Sequence, residues 1–316
     1  MTRPFFTVFT PTYNRARYLP RVYRSLVAQT FTDFEWLVVD DGSTDNTREL
    51  VQGWKKDSPF PVHYFWQPNQ HKKVAFNRGV REARGEMLVV IDSDDELVPH
   101  SLAIFHAHWM AIPVQYREQF AGVGGLCVDD TGDVVGTQFP VSALDCSLLD
   151  AVHRYRMRGE KFWFTRVDVL LQFPFPEDVS GYVPEGVVWM QIALRHKTRF
   201  INEVVRIYHQ DAQADQIMSR PQQLQAPGTA LYFRFFFALA WPWFRFDPII
   251  FMRAAIHFTR YYLHARKNPF RDAVALPGCW LLLLFMPAGW LAYLYDSACG
   301  RNVGLQIRSL LRRRRP

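Results

Sequence analysis

Short apolar runs alternate with amphipathic stretches through the first hundred residues. Phe5-Phe6-Thr7-Val8-Phe9 has the length and composition of a strand buried on both faces, and after Thr10-Pro11-Thr12-Tyr13-Asn14 the apolar positions Leu19, Val22, Leu26 and Val27 take helical spacing. Phe34-Glu35-Trp36-Leu37-Val38-Val39 predicts a second strand. It ends in Asp40-Asp41-Gly42-Ser43-Thr44-Asp45-Asn46-Thr47, where short polar side chains and a glycine turn the chain and cap a helix. Val62-His63-Tyr64-Phe65 predicts a third strand, followed by a basic loop and a helix from Lys73 to Arg84. Met87-Leu88-Val89-Val90-Ile91 predicts a fourth, which runs into Asp92-Ser93-Asp94-Asp95. Such an alternation predicts an α/β fold with a mainly parallel sheet covered on both faces, whose ligands collect beyond the carboxyl ends of the strands. The polar loops named here share that edge.

The pattern loosens after residue 120, where Gly122, Gly124 and Gly125 punctuate a strand-like region and Pro174, Pro176 and Pro184 interrupt the later one. Ala226-Pro227-Gly228 then precedes a change of composition, which predicts one domain over 1–222 and a helical region over 223–316. From Leu231 to Lys267 many Phe and Trp residues are interleaved with Arg234, Arg245, Arg253, Arg260 and Arg266, a mixture suited to a membrane interface. Ala273 to Tyr295 carries no charge and is long enough to cross a bilayer, yet Pro277 and Pro287 sit inside it and basic residues flank it. The region is therefore expected to associate with a membrane in a peripheral, re-entrant or integral way.

Charge sharpens that expectation. Lys and Arg number 37 against 30 Asp and Glu, a net +7, and Arg312-Arg313-Arg314-Arg315 lies near the end of the sequence, so an anionic membrane surface is an expected partner. Nucleic acid is not: the aromatic residues sit in long apolar segments, and the acidic cluster would oppose a bare polyanion. Cys127, Cys146, Cys279 and Cys299 are too widely spaced for a compact metal site and read as packing residues. No basic segment followed by an apolar one opens the chain, the expectation for a cytoplasmic catalytic domain.

Asp92, Asp94 and Asp95 follow an apolar strand, and their mutual repulsion would be relieved by a hard cation such as Mg²⁺ or Mn²⁺ that also takes diphosphate oxygens. Turn and cap formation, or phosphoryl hydrolysis, would use the same residues. Asp41 could accept hydrogen bonds from a base imide or a ribose hydroxyl, or merely close an Asx turn. Asn69, Lys72 and Lys73 could meet a pyrophosphate, or be solvated surface groups. Glu185, after Pro184 and before an apolar helix, reads by itself as a first-turn acid.

Taken in order, FTPTYNRARYL at 9–19, VVDDGSTDNT at 38–47, PNQHKKVAFNRGVREARGE at 68–86 and VVIDSDDELVP at 89–99 resemble the large family two of inverting glycosyltransferases with a GT-A fold, in particular its membrane-associated bacterial members. The resemblance covers roughly the first 215 residues. It implies that Pro11, Thr12, Tyr13 and Asp41 surround the base and ribose of a nucleotide diphosphate sugar, UDP-linked in one reading, and that Asn69, Lys72, Asp92 and Ser93 meet the same donor. Asp92 and Asp94 form the literal DxD pattern for Mg²⁺ or Mn²⁺, with Asp95 an equally good ligand. Gln70 and His71 stand where the family often has paired glycines before the lysine, a departure at Lys72.

GEKFWFTRVDVL at 159–170 and the segment from Phe173 to Tyr208 resemble the family's acceptor side. This implies Glu185 as the catalytic base, Asp178 as the alternative, and Glu160 and Trp189 bordering an acceptor pocket. The implied activity is inverting, metal-dependent hexosyl transfer to a hydroxyl of a polyprenyl-diphosphate-linked glycan or other glycolipid, at the cytoplasmic face of a bacterial inner membrane. A nonlipid glycan acceptor, or a noncatalytic nucleotide-sugar-binding module, are the competing implications.

Overall fold

In the computed structural model, which describes residues 3–209 and 222–299, the four apolar runs are strands. The chain order is β1 (Phe6–Thr12), α1 (Leu19–Val27), β2 (Phe34–Asp40), α2 (Thr47–Asp57), β3 (Val62–Trp66), α3 (Lys72–Glu82) and β4 (Met87–Val90). β1 pairs in parallel with both β2 and β4, and β2 in parallel with β3. β1 outruns its apolar sequence, continuing fully buried through Thr10-Pro11-Thr12. Pro11 has no N–H for a ladder, but β4 stops opposite Phe9, so the ladder on that flank has already ended.

α3 begins at Lys72 and ends at Glu82, two residues short of the expected Arg84. Side chains draw the backbone out of the helix there: the Arg84 N–H donates to the Glu35 carboxylate at 2.8 Å and the Gly85 N–H to the Thr7 hydroxyl at 2.8 Å. Thr7 in turn donates to Glu35 at 2.6 Å, so this buried acid is satisfied at the lower end of the sheet.

The less regular stretch builds the other half of the sheet with β5 (Glu96–Leu97), α4 (Ser101–Met110), β6 (Phe120–Val128), β7 (Leu144–Cys146), β8 (Lys161–Arg166), α5 (Val167–Leu170), α6 (Gly186–Ala193) and β9 (Lys197–Ile207). The strand order is β3-β2-β1-β4-β8-β6-β9-β5, with β7 on β9. β8 runs antiparallel between β4 and β6, whereas β6 and β9 are parallel. The three glycines expected to punctuate this region lie within β6. Phe6, Trp36, Val89, Phe105 and Phe164 belong to the main core. The result is a GT-A-type α/β fold, parallel on the N-terminal side and mixed beyond β4.

The chain divides into two compact units, Met1–Glu177 with Val188–Ala214 and Asp178–Val187 with Asp215–Pro316. The second contains α7 (Gln222–Ala240), α8 (Pro248–His264), α9 (Pro269–Ala273) and α10 (Cys279–Cys299). Part of its aromatic load forms its own core, with Phe236 against Phe251 at 4.6 Å between ring centroids and Phe258 stacked on Tyr262 at 4.2 Å. The uncharged run is not divided into a hairpin: Pro277 precedes α10, and Pro287 lies within one continuous helix. Over Cys279–Ala298, α10 is the one helix among the described residues long and apolar enough to cross a membrane. The run Arg312–Arg315 lies outside the described residues.

Candidate active site

Backbone pairing places the ends of β1 and β2 side by side, with the Asp41 N–H donating to the Thr12 carbonyl at 2.8 Å. The two neighbouring acids then part in role. Asp40 is consumed by the fold, accepting from the Ser43 N–H at 2.8 Å and the Tyr64 hydroxyl at 2.6 Å. Asp41 Oδ1 accepts from Gln67 Nε2 at 2.8 Å and from the Gln70 N–H at 2.9 Å. Burial pushes its carboxyl up, with the Gln67 and Gln70 bonds opposing. Thr12, whose carbonyl takes the Asp41 N–H, has a buried hydroxyl with no hydrogen-bond partner among the described residues. A buried orphan hydroxyl is what a polar ligand would complete. Pro11 is buried in β1, while Tyr13, just beyond the strand, is 42% exposed.

The two loops are stapled. Asn14, at φ 53°, accepts from the Thr44 N–H at 2.8 Å, and its own N–H donates to the Ser43 hydroxyl at 2.8 Å. Gly42, at φ 90°, packs so closely on Asn69 that a Cβ would lie 2.8 Å from the Asn69 nitrogen. Only glycine suits that turn. The loop carrying Asn69 is thus held to the Asp41 turn, and Asn69 itself is exposed.

His71 occupies one of the positions where glycine was the family expectation, and its backbone keeps a glycine conformation, φ 70° and ψ 155°. For a residue with a Cβ this costs on the order of 1–3 kcal/mol. Replacing His71 with Gly should release that strain, offset by about 1 kcal/mol or less from the added freedom of the unfolded chain. The thermal midpoint is expected to stay level or rise by a few degrees, and His71→Ala to show no such rise. A clear fall for the Gly variant in thermal denaturation would contradict the strained-loop reading.

The acidic cluster follows β4, and its three carboxylates have different surroundings. Asp92, half-buried, accepts from the Lys72 ammonium at 2.7 Å. Burial would raise its carboxyl, but Lys72, with Arg206 and Arg15 behind it, holds it below the usual range. Asp94 lies 4.0 Å from the Arg15 guanidinium, and burial followed by the charge of Asp92 pushes it upward. Arg21 fixes the same turn by donating to the Asp94 carbonyl at 2.8 Å. Asp95 is 2% exposed and has both oxygens engaged, one by the His209 N–H at 3.2 Å and one by Arg206 at 3.2 Å. Burial pushes it up to about 7, with Arg206 opposing and the two neighbouring aspartates adding to the rise. Ser93 between them is buried.

Among the described residues no group of three or more His, Cys, Asp or Glu side chains is disposed to hold a metal ion. Mg²⁺ and Mn²⁺ do not require one, because one or two carboxylates combine with substrate phosphates and water. Asp92 and Asp94 fit that donor set, and the upward push on Asp94 marks a carboxylate that a cation would stabilise.

Glu160 accepts from Arg206 at 3.1 Å and so shares that buried guanidinium with Asp95. Trp189 packs edge-on against Trp163 and Phe76, with centroids at 5.7 and 6.1 Å. Glu185 is half-buried and immediately precedes α6, while Asp178 is exposed. Arg15, Arg21, Gln67, Arg206 and His209 were not assigned from sequence. Their roles come from pairings across 26 to 114 positions, and the only local hint is an arginine, Arg206, set between the apolar Val205 and Ile207.

Residues 7–114 match the model of glycosyl transferase family 2. This segment is a glycosyltransferase family 2 domain. Across 210 residues the chain is 28% identical to the GalNAc(5)-diNAcBac-PP-undecaprenol beta-1,3-glucosyltransferase of Campylobacter jejuni, a match covering 65% of this chain and 64% of that one. The chain spans less than two thirds of the length of the curated relatives it matches. Among solved structures, Staphylococcus aureus TarS in complex with UDP-GlcNAc superposes with a TM-score of 0.59 at 17% identity, covering 94% of this chain and 92% of the other. The mannosyltransferase PcManGT of Pyrobaculum calidifontis, in complex with GDP-Man and Mn²⁺, gives 0.54 at 19% identity, covering 98% and 80%. These two likenesses carry the fold. The family 2 domain includes β1 through α4, and with them Thr12, Asp41, Lys72 and the acidic cluster.

Proposed function

We propose that this chain transfers a sugar, with inversion, from a nucleotide diphosphate sugar to a hydroxyl of a lipid-linked glycan. The observation that supports this most is the backbone pairing of Thr12, whose buried hydroxyl is orphaned, with Asp41 at the β1 and β2 ends, in a family 2 domain whose β4 end carries Lys72 against Asp92. Thr12 and Asp41 hold the nucleoside, with Pro11 and Tyr13 at its edge. Asn69, Lys72 and Ser93 meet the donor's diphosphate side. Asp92 and Asp94 hold Mg²⁺ or Mn²⁺, which supplies Lewis-acid neutralisation of the diphosphate when bound. Asp95, engaged by Arg206 and His209, shapes the turn that carries the other two.

Glu185 takes the proton of the acceptor hydroxyl as its oxygen attacks the anomeric carbon and the bond to the diphosphate oxygen breaks on the opposite face. The Lys72 ammonium and the Arg15 guanidinium stabilise charge on the departing nucleoside diphosphate. Asp178 is the alternative base, and Glu160 and Trp189 stand at the acceptor side. The C. jejuni relative is named for a substrate linked to undecaprenol, and this supports a lipid-linked acceptor, reached from the cytoplasmic side of a bacterial inner membrane.

Asp41→Asn is expected to weaken binding of the donor nucleotide at least tenfold without lowering the thermal midpoint, whereas Asp40→Asn lowers the midpoint because an amide offers one acceptor oxygen where the Ser43 N–H and the Tyr64 hydroxyl each use one. Calorimetric titration with UDP and GDP checks this and also picks the base. A mass-resolved incubation of the full chain with pooled nucleotide sugars and polyprenyl-linked acceptors should yield a lipid extended by one sugar. Extension of soluble glycans alone would overturn the lipid-linked acceptor.

A further inference from the structure

We infer that the helices α8 to α10 lie flat on an anionic bilayer surface, with one face of α10 in the lipid and no segment crossing it. The reasoning rests on the second unit alone and is independent of the donor chemistry.

α10 has an apolar outer face, while its inner side combines buried leucines with one buried acid. Trp280, Leu283, Leu284, Trp290, Leu291, Leu294 and Tyr295 are exposed, a set recurring every three and four residues along one face, while the acid Asp296 is buried. In water alone such a face has no partner, whereas rings at its ends and leucines between them suit the boundary between headgroups and acyl chains. Neighbouring exposed apolar residues Ile249, Met252 and Phe270 have the exposed cations Arg253 and Arg271 beside them in sequence, and Arg266 and Lys267 follow α8. That mixture complements an anionic headgroup layer.

Two features set the orientation. First, α10 is clamped to α8: Arg260 forms a bidentate pair with Asp296 at 2.6 and 2.8 Å, and His264 adds a contact to the same carboxylate at 2.9 Å. A lone α10 crossing the bilayer would strip Asp296 of both partners inside its own apolar stretch. Second, the two helices run in the same direction. Trp280 meets Phe244, Gly289 packs on the Ile256 carbonyl and Thr259, Tyr293 meets His264, and Asp296 meets Arg260 and His264.

If this parallel pair crossed together, the connector over residues 265–278 would have to recross the hydrocarbon with Arg271 exposed, a short helix and nonhelical backbone. Lipid does not accommodate exposed irregular backbone. Lying in the plane of the surface satisfies both constraints, with the cations in the headgroups and the α10 face in the acyl boundary.

The test uses the full chain and vesicles of phosphatidylethanolamine with phosphatidylglycerol, with phosphatidylcholine vesicles for comparison. Flotation should recover the wild type with the anionic vesicles, less with phosphatidylcholine. The variant carrying Leu284→Asp and Leu291→Asp, with unchanged circular dichroism, should float at least tenfold less. Spin labels at Leu284→Cys and Tyr295→Cys, in a background with Cys279 and Cys299 replaced by Ser, then report depth. Equal shallow depths of about 5–10 Å are expected. A depth difference near the roughly 16 Å of helix rise between the two positions would establish a span instead. Labels that stay out of lipid, or no loss of flotation in the double variant, would show that this face serves a protein partner and overturn the inference.

Discussion

Replacing Glu185 with Gln should leave folding and donor affinity intact and cut acceptor-dependent transfer by about 10²- to 10⁴-fold, the range attributable to a general base. Gln keeps the shape of the side chain before α6 but has no carboxylate to receive the hydroxyl proton. Single-turnover transfer at saturating donor isolates this step, and a donor titration on the same preparation separates it from binding. Asp178→Asn is expected to lose much less, because Asp178 is exposed and serves the loop. Were the Asp178 variant to lose the chemical rate while the Glu185 variant kept it, the base would be Asp178.

The second large effect is expected at Asp94. Asp94→Asn should lower transfer by about 10²-fold or more, the cost of removing one element of charge stabilisation at a developing anion. It should also weaken the response to added Mn²⁺ or Mg²⁺. Its surroundings argue for this residue: Asp92 already has Lys72 at 2.7 Å, and Asp95 has Arg206 and the His209 N–H, whereas Asp94 is pushed upward by burial and by Asp92, with Arg15 only at 4.0 Å. Asp95→Asn should instead act through the fold, lowering the thermal midpoint because the buried Arg206 loses a counter-charge. The readouts are initial rates across a metal titration after chelation and a melting curve for each variant. Wild-type rates for Asp94→Asn, or full activity of thoroughly chelated enzyme, would remove the metal role.

The parallel half of the sheet was legible because β1, β2 and most of β4 are buried on both faces and read as apolar runs, while the edge strand β3 is partly exposed but still mainly apolar, and a helical pattern separates each from the next. Legibility ended where apolarity did. β1 continues through Thr10-Pro11-Thr12, polar or ring-bearing residues that bury well at a strand end but carry no apolar signature. β9 reads Lys-Thr-Arg-Phe-Ile-Asn-Glu-Val-Val-Arg-Ile, too polar to announce a strand flanked by β6 and β5, and its Arg206 reaches Asp95 only once those strands pair. For the same reason the acidic cluster was visible as three like charges, while the cations that differentiate them, Arg15, Lys72 and Arg206, arrive from three separate elements. The parallel course of α8 and α10 had no local signature either, since it follows from the turn of residues 265–278 and from Asp296 finding Arg260.

The most direct measurement is proton NMR of a single reaction mixture holding the full chain, diamagnetic Mg²⁺, an α-linked nucleotide diphosphate sugar and a polyprenyl-linked acceptor. The predicted result is loss of the α-anomeric donor signal, matched one for one by a new β-glycosidic signal on the acceptor and by free nucleoside diphosphate, with no turnover when acceptor is withheld. Retention of the α configuration in the product, or release of nucleotide at the same rate without acceptor, would contradict inverting transfer.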